Sequence, residues 1–151
     1  MERLNVAIAD DNDRILELLG EIISNDKDLT LVGKASNGEE MYQIIKNKEP
    51  DVVLLDLIMP KMDGLSVMEH VNADKTLKKS PNFIVITAVG QERITEDAFK
   101  KGASYYILKP FHNETVLNRI KHIQKEVKRT KIGSGNNTEL SMDVKEKNLH
   151  T

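Results

Sequence analysis

The sequence predicts an α/β fold, a doubly wound sandwich in which helices cover both faces of a five-stranded parallel sheet. Three observations predict it. Five short runs rich in aliphatic and β-branched residues alternate with five longer stretches of helical character along the 151 residues. The central run, VVLL at 52–55, is apolar at consecutive positions, as expected of a strand covered on both faces. Finally, βα alternation closes through right-handed crossovers, which give a parallel sheet with helices on either side.

The first strand is LNVAIA, residues 4–9. After it, Ile15, Leu18, Leu19, Ile22 and Ile23 fall at i, i+3, i+4, i+7 and i+8, so one apolar stripe runs down the first helix. Asp10-Asp11-Asn12 precedes that helix and suits its N-cap, whatever else these residues do. LTLVGKA, 29–35, is the weakest strand signal. Asn37 followed by Glu40 resembles a capping box for a helix holding Met41, Ile44 and Ile45, and Pro50 marks its end. VVLLD, 52–56, leads through the turn residues Met59-Pro60 and Asp63-Gly64 into a third helix with Leu65, Met68 and Val71 inward. FIVITA, 83–88, comes before the helix in GQERITEDAFKK, where only Ile94, Ala98 and Phe99 are apolar and Gly102 falls where a C-terminal cap belongs. A stripe that sparse fits either a plainly solvated helix or one anchored loosely enough to shift or to form a dimer contact. SYYILK, 104–109, is the fifth strand, and Val116, Leu117, Ile120, Ile123 and Val127 form the buried face of the last helix, with Asn113 as its cap.

Composition narrows the function classes. The length suits one substantial core with a short tail. Lys and Arg number 22 against 24 Asp and Glu, a net charge of −2, which argues for neither a nucleic-acid surface nor an acidic tail. There is no cysteine, which excludes disulfide and thiolate chemistry. The start MERLNVAIADDN lacks a secretory pattern and no apolar run approaches the ~18 residues of a membrane span, so a cytoplasmic chain with no membrane partner is expected. Residues 1–130 are expected to form the domain. From Lys131 the pattern changes to KIGSGNNTELSMDVKEKNLHT, rich in Gly, Asn, Ser and charge, so 131–151 reads as a linker or disordered tail, or as the first residues of a further domain.

Ligands of open α/β sheets bind outside the carboxyl ends of the strands. Here the first strand ends in Asp10-Asp11, the third in Asp56, the fourth in Thr87-Ala88 and the fifth in Lys109-Pro110. Side by side, these ends would gather three carboxylates, a hydroxyl and an ammonium. Two carboxylates ~4 Å apart repel by roughly 4 kcal/mol at an effective dielectric of ~20. A hard divalent cation, Mg²⁺ or Ca²⁺, is the natural relief. Such an ion prepares a carboxylate for phosphoryl transfer, with Asp56 as nucleophile, Lys109 pairing with a phosphoryl oxygen and Thr87 donating to another. Each residue alone has an ordinary reading: Asp56 a turn cap, Thr87 a β-former, Lys109 and Tyr106 surface residues.

DD near the start, D in VVLLDLIMPKMDG, TA after FIVI and KP after YYIL together resemble the receiver domain of bacterial two-component response regulators, over residues 3–128. The resemblance implies a flavodoxin-like sheet of order 2-1-3-4-5 and the role of phosphoacceptor for Asp56. It implies that Asp10, Asp11, Asp56 and the Ile58 backbone carbonyl hold Mg²⁺, and that Lys109 contacts the phosphoryl group. It further implies a cis Lys109-Pro110 peptide and a switch pair of Thr87 and Tyr106, in which the hydroxyl moves toward the phosphoryl group as the ring turns inward. The partner implied is a phosphodonor, a histidine kinase or phosphotransferase, with homodimerisation on phosphorylation as a further expectation. ADDN, LLDLIMPKMDGL, ITAVGQERIT and GASYYILKPF are most similar to the receivers of sporulation transcription regulators, although Lys61-Met62 stands where His-Leu is common in those. No helix-turn-helix pattern follows Lys131, so DNA would be reached only through an output domain outside this chain. The expected function is a signal receiver of a phosphorelay rather than an enzyme. A metal-dependent phosphohydrolase working through an aspartyl intermediate and a phosphorylation-independent pseudo-receiver are the competing readings.

Overall fold

The computed structural model describes residues 3–132, with side chains through residue 127. The elements are β1 (Leu4–Ala9), α1 (Asp13–Ser24), β2 (Leu29–Ala35), α2 (Gly38–Lys48), β3 (Val52–Asp56), α3 (Gly64–Ala73), β4 (Asn82–Ala88), α4 (Glu92–Lys100), β5 (Tyr105–Lys109) and α5 (Asn113–Ile132). The strands form one parallel sheet in the order β2-β1-β3-β4-β5. This is the flavodoxin-like doubly wound architecture expected from the sequence. Among the described residues no helix is long and apolar enough to cross a membrane. The linker or tail expected at 131–151 lies outside the described residues, apart from Lys131 and Ile132 in the last turn of α5.

The alternation of the strand pleat divides the core in two. Val6, Ile8, Val52, Leu54, Ile84, Ile86 and Ile107 pack under α1 and α5, while Ala7, Val53, Leu55, Phe83 and Val85 pack under α2, α3 and α4. β3 is buried on both faces throughout, which is why its sequence is an unbroken apolar run. β2 is an edge strand with a bulge opposite Val6/Ala7 and mostly half-buried side chains, which explains its weak signal.

The helix ends follow their capping residues. Asn12 accepts from the backbone N–H groups of Arg14 and Ile15, and Asp63 from that of Ser66. At α2, Asn37 accepts from Glu40 N (3.0 Å), and the Glu40 carboxylate is held in return by the Asn37 amide (2.7 Å) and the Ser36 hydroxyl (2.9 Å). Two local expectations shift. Leu18 is exposed, because it lies roughly a quarter turn from the centre of the α1 stripe and Leu16 packs in its place. Asn113 is the first helical residue rather than the cap, since Thr115 and Val116 already donate to the His112 carbonyl.

α4 is the least anchored helix: Ala98 is its one buried residue, with Ile94 and Phe99 partly covered. Its C-terminus is nevertheless tied down. Gly102 (φ 106°) closes it in a left-handed conformation, with Gly102 N donating to Phe99 O and Ala103 N to Ala98 O. The Asn72 amide of α3 donates to Lys101 O at 2.9 Å, and Lys101 pairs with Glu69 at 3.3 Å.

Candidate functional site

The pleat also decides which strand-end side chains meet. On β1, residues 6, 8 and 10 share the face under α1 and α5; on β3, residues 52, 54 and 56 do; on β5, residues 105, 107 and 109 do. Asp10, Asp56 and Lys109 therefore converge on one side of the sheet at its carboxyl end. Thr87 follows Phe83 and Val85 and falls on the other side, facing α4.

Asp10 is fully buried, and its Oδ1 accepts from Asn12 N at 2.9 Å. The Asp10-Asp11-Asn12 stretch thus divides its work: Asn12 caps α1, Asp10 anchors the cap's own backbone, and Asp11 is left exposed at the rim. Asp56 is 6% exposed, and its Oδ1 accepts from Ile58 N at 3.1 Å. Lys109 Nζ stands 2.9 Å from Asp10 Oδ2 and 3.5 Å from Asp56 Oδ2. The loop after β3 is seated by Gly64, where a Cβ would lie 2.7 Å from the Asp56 carbonyl oxygen and 2.8 Å from Leu57 Cα, so only glycine allows this approach. Carboxylate oxygens of Asp10, Asp11 and Asp56 lie within 4.8 Å of one another.

One ammonium among three carboxylates leaves the pocket short of positive charge. Burial first, and the Asp10 carboxylate second, push the Asp56 carboxyl up to about 6, against the pull of Lys109 and the Ile58 N–H. Burial works to lower the Lys109 ammonium, but Asp10 and Asp56 outweigh it and hold it above its ordinary value. Asp10 Oδ2 is buried without a well-aligned hydrogen bond, although the ammonium is near. A buried anionic oxygen faced by one poorly aligned ammonium, beside two more carboxylates, fits a hard cation such as Mg²⁺ or Ca²⁺.

The remaining expected residues lie apart from this cluster or touch it through the backbone. Ile58 gives its N–H to Asp56, and its side chain is exposed. The Lys109-Pro110 peptide is cis. Tyr106 is 47% exposed on β5, its ring edge-on to Phe99 at 6.2 Å. The Thr87 hydroxyl is engaged by Gln91 and Thr95 at the start of α4. Sequence reasoning missed both of these partners, because polar residues at i+4 and i+8 from a strand end look like an ordinary solvated helix start.

A buried aspartate flanked by two carboxylates and a lysine, at the carboxyl edge of a five-stranded parallel sheet, defines a phospho-accepting α/β domain. Residues 6–121 match the response regulator receiver domain. The fold is similar to CheY in the CheX-CheY-BeF₃-Mg²⁺ complex from Borrelia burgdorferi, with 32% identity over 81% of this chain and 90% of that one (TM-score 0.71). It is also similar to the signal receiver domain of NarL from Mycobacterium tuberculosis, with 27% identity over 83% and 98% of the two chains (TM-score 0.75). The receiver domain of AraT from Geobacillus stearothermophilus matches at 25% identity over 85% and 98% (TM-score 0.72). The chain belongs to the response regulator receiver family. It is a signalling domain rather than an enzyme acting on an outside substrate, and its family implies a cognate phosphodonor kinase.

Proposed function

We propose that Asp56 is the phosphoacceptor of a phosphorelay receiver that controls sporulation transcription through a DNA-binding output domain. The observation that carries the chemistry is the placement of Asp56 Oδ2 beside Lys109, among the only three carboxylates gathered there among the described residues. An Asp56 oxygen attacks phosphorus on the donor's phosphohistidine; the new O–P bond forms as the P–N bond breaks, and the electron pair leaves on the imidazole nitrogen. Asp10, Asp11, Asp56 and the Ile58 carbonyl would hold Mg²⁺, which supplies charge neutralisation for the attacking and transferred oxygens. Lys109 would pair with a phosphoryl oxygen, a role supported by its contact with Asp56. The new dianion then draws the Thr87 hydroxyl toward it, and Tyr106 turns inward behind. That changes the face of α4 and β5, where Val89, Tyr106 and Leu108 are exposed and a homodimer would form.

The sporulation assignment rests on the GQE string after Thr87-Ala88-Val89 and on YYILKPF, which resemble the receiver of stage 0 sporulation protein A. A cytoplasmic location accompanies it. Intact mass after incubation with acetyl phosphate tests the phosphoacceptor. The expected result is one added phosphoryl group that requires Mg²⁺ and vanishes in Asp56→Asn. A folded wild type that neither takes up the group nor releases phosphate would leave the pseudo-receiver as the better reading. Continuous turnover of an added phosphomonoester would favour the phosphohydrolase.

A further inference from the structure

The Thr87 side chain is buried, and its one hydroxyl proton is already committed. Thr95 Oγ1 donates to the Gln91 carbonyl at 2.7 Å, which uses the only proton Thr95 has. In its 2.8 Å contact with Thr87, Thr95 is therefore the acceptor and Thr87 the donor. The same Thr87 proton faces Gln91 Oε1 at 3.2 Å, and that oxygen is fixed in turn by Ala88 N at 2.9 Å. Both acceptors sit at the start of α4, on the side of the sheet away from Asp56.

We propose that Gln91 and Thr95 are positioning residues that hold the Thr87 hydroxyl away from the phosphoacceptor and so set how readily the domain adopts its phosphorylated arrangement. This rests on the proposed role of Thr87 as a donor to the phosphoryl group. For that role Thr87 must leave both acceptors at once. When it does, Gln91 Oε1 keeps the Ala88 N–H and Thr95 keeps its bond to the Gln91 carbonyl, so no donor on α4 is stranded. The two arrangements thus differ by one shared proton, a small free-energy gap that a phosphoryl group can reverse. The latch also explains the polar start of α4: its Thr and Gln serve β4 rather than solvent.

Titration calorimetry with beryllium fluoride and Mg²⁺ reads this equilibrium, because the adduct stands in for the aspartyl phosphate. Thr95→Val removes the acceptor at nearly constant volume and is expected to tighten binding about 3- to 10-fold. Gln91→Met, which keeps the stem and removes Oε1, is expected to act in the same direction. Thr95→Ser is expected to stay within about 2-fold of wild type. In a Thr87→Ala background, Thr95→Val is expected to have no effect, since there is no hydroxyl left to hold. Unchanged or weaker binding by Thr95→Val and Gln91→Met with wild-type melting temperatures would overturn the proposal, as would equal tightening with and without Thr87. Failure of the wild type to bind the adduct would instead overturn the phosphoacceptor reading itself.

Discussion

The Lys109 ammonium, at the end of β5, reaches Asp10 and Asp56, at 2.9 and 3.5 Å, at the ends of the adjacent strands β1 and β3, neither of which borders β5 in the sheet. It is therefore a structural tie as well as a chemical group. Removing it leaves buried carboxylates facing one another with no counter-charge, which is costlier than losing a surface ion pair.

Lys109→Met is expected to lower stability at pH 7 by about 1–3 kcal/mol, less than a fully buried pair because the lysine is partly exposed. Urea denaturation checks this. Saturating Mg²⁺ should recover part of the loss, whereas phosphorylation by acetyl phosphate should stay impaired.

The acid range gives a second signature. The folded pKa of Asp56, about 6, lies above the ordinary 3.8, so between these values the folded state binds more protons than the unfolded state. The Asp56 contribution to stability therefore falls as pH rises through that window and is least favourable above about 6. The shift corresponds to at most about 3 kcal/mol, which screening on the solvent side of the pocket reduces to about 1–2 kcal/mol. Asp56→Asn is expected to be more stable than wild type by that amount at pH 7 and no more stable at pH 4, as measured by denaturation at both values.

Asp11 separates ion binding from folding. It is exposed and neither caps α1 nor pairs with Lys109, so Asp11→Ala should change the stability of the ion-free protein by no more than about 0.5 kcal/mol. In wild type, Mg²⁺ at about 100 times its Kd should add about 2.7 kcal/mol. Thermal melts with and without EDTA should show that increment in wild type and its loss in Asp11→Ala.

Two substitutions on the loop after β3 should move stability in opposite directions. Gly64→Ala drives a Cβ into the Asp56 carbonyl and Leu57 backbone and is expected to cost about 1–3 kcal/mol. Lys61 holds φ 66°, a conformation glycine adopts freely, so Lys61→Gly is expected to stabilise by about 0.5–1 kcal/mol. Chemical denaturation of the two variants measures both.

Much of this was legible in the residues. The unbroken apolar run of β3, the capping signal at Asn37 and the turn at Asp63-Gly64 each reflect one local rule, and local rules survive into the fold. Strand ends named Asp10, Asp11, Asp56 and Lys109 because a parallel sheet places all carboxyl ends together. What stayed hidden needed three dimensions. The pleat puts Thr87 on the opposite face from Asp56, which depends on the phase of each strand and not on its composition. The roles of Gln91 and Thr95 follow from counting protons among contacts that no spacing rule supplies.

α4 is secured very unequally at its two ends. Its last turn is fastened by the Gly102 closure, the Asn72 amide and the Glu69 pair, whereas its first turn is tied to β4 through Gln91 and the Thr87 contacts. Mechanically this is a lever pivoted at Lys101 with a catch at Gln91. Under the proposed latch, losing the Thr87 contacts would loosen the near end, still held through Ala88, while the far end stays fastened. The corner beside that near end holds Val89, 80% exposed, so a partner seated there would sense the latch while one gripping the pivot would sense almost nothing.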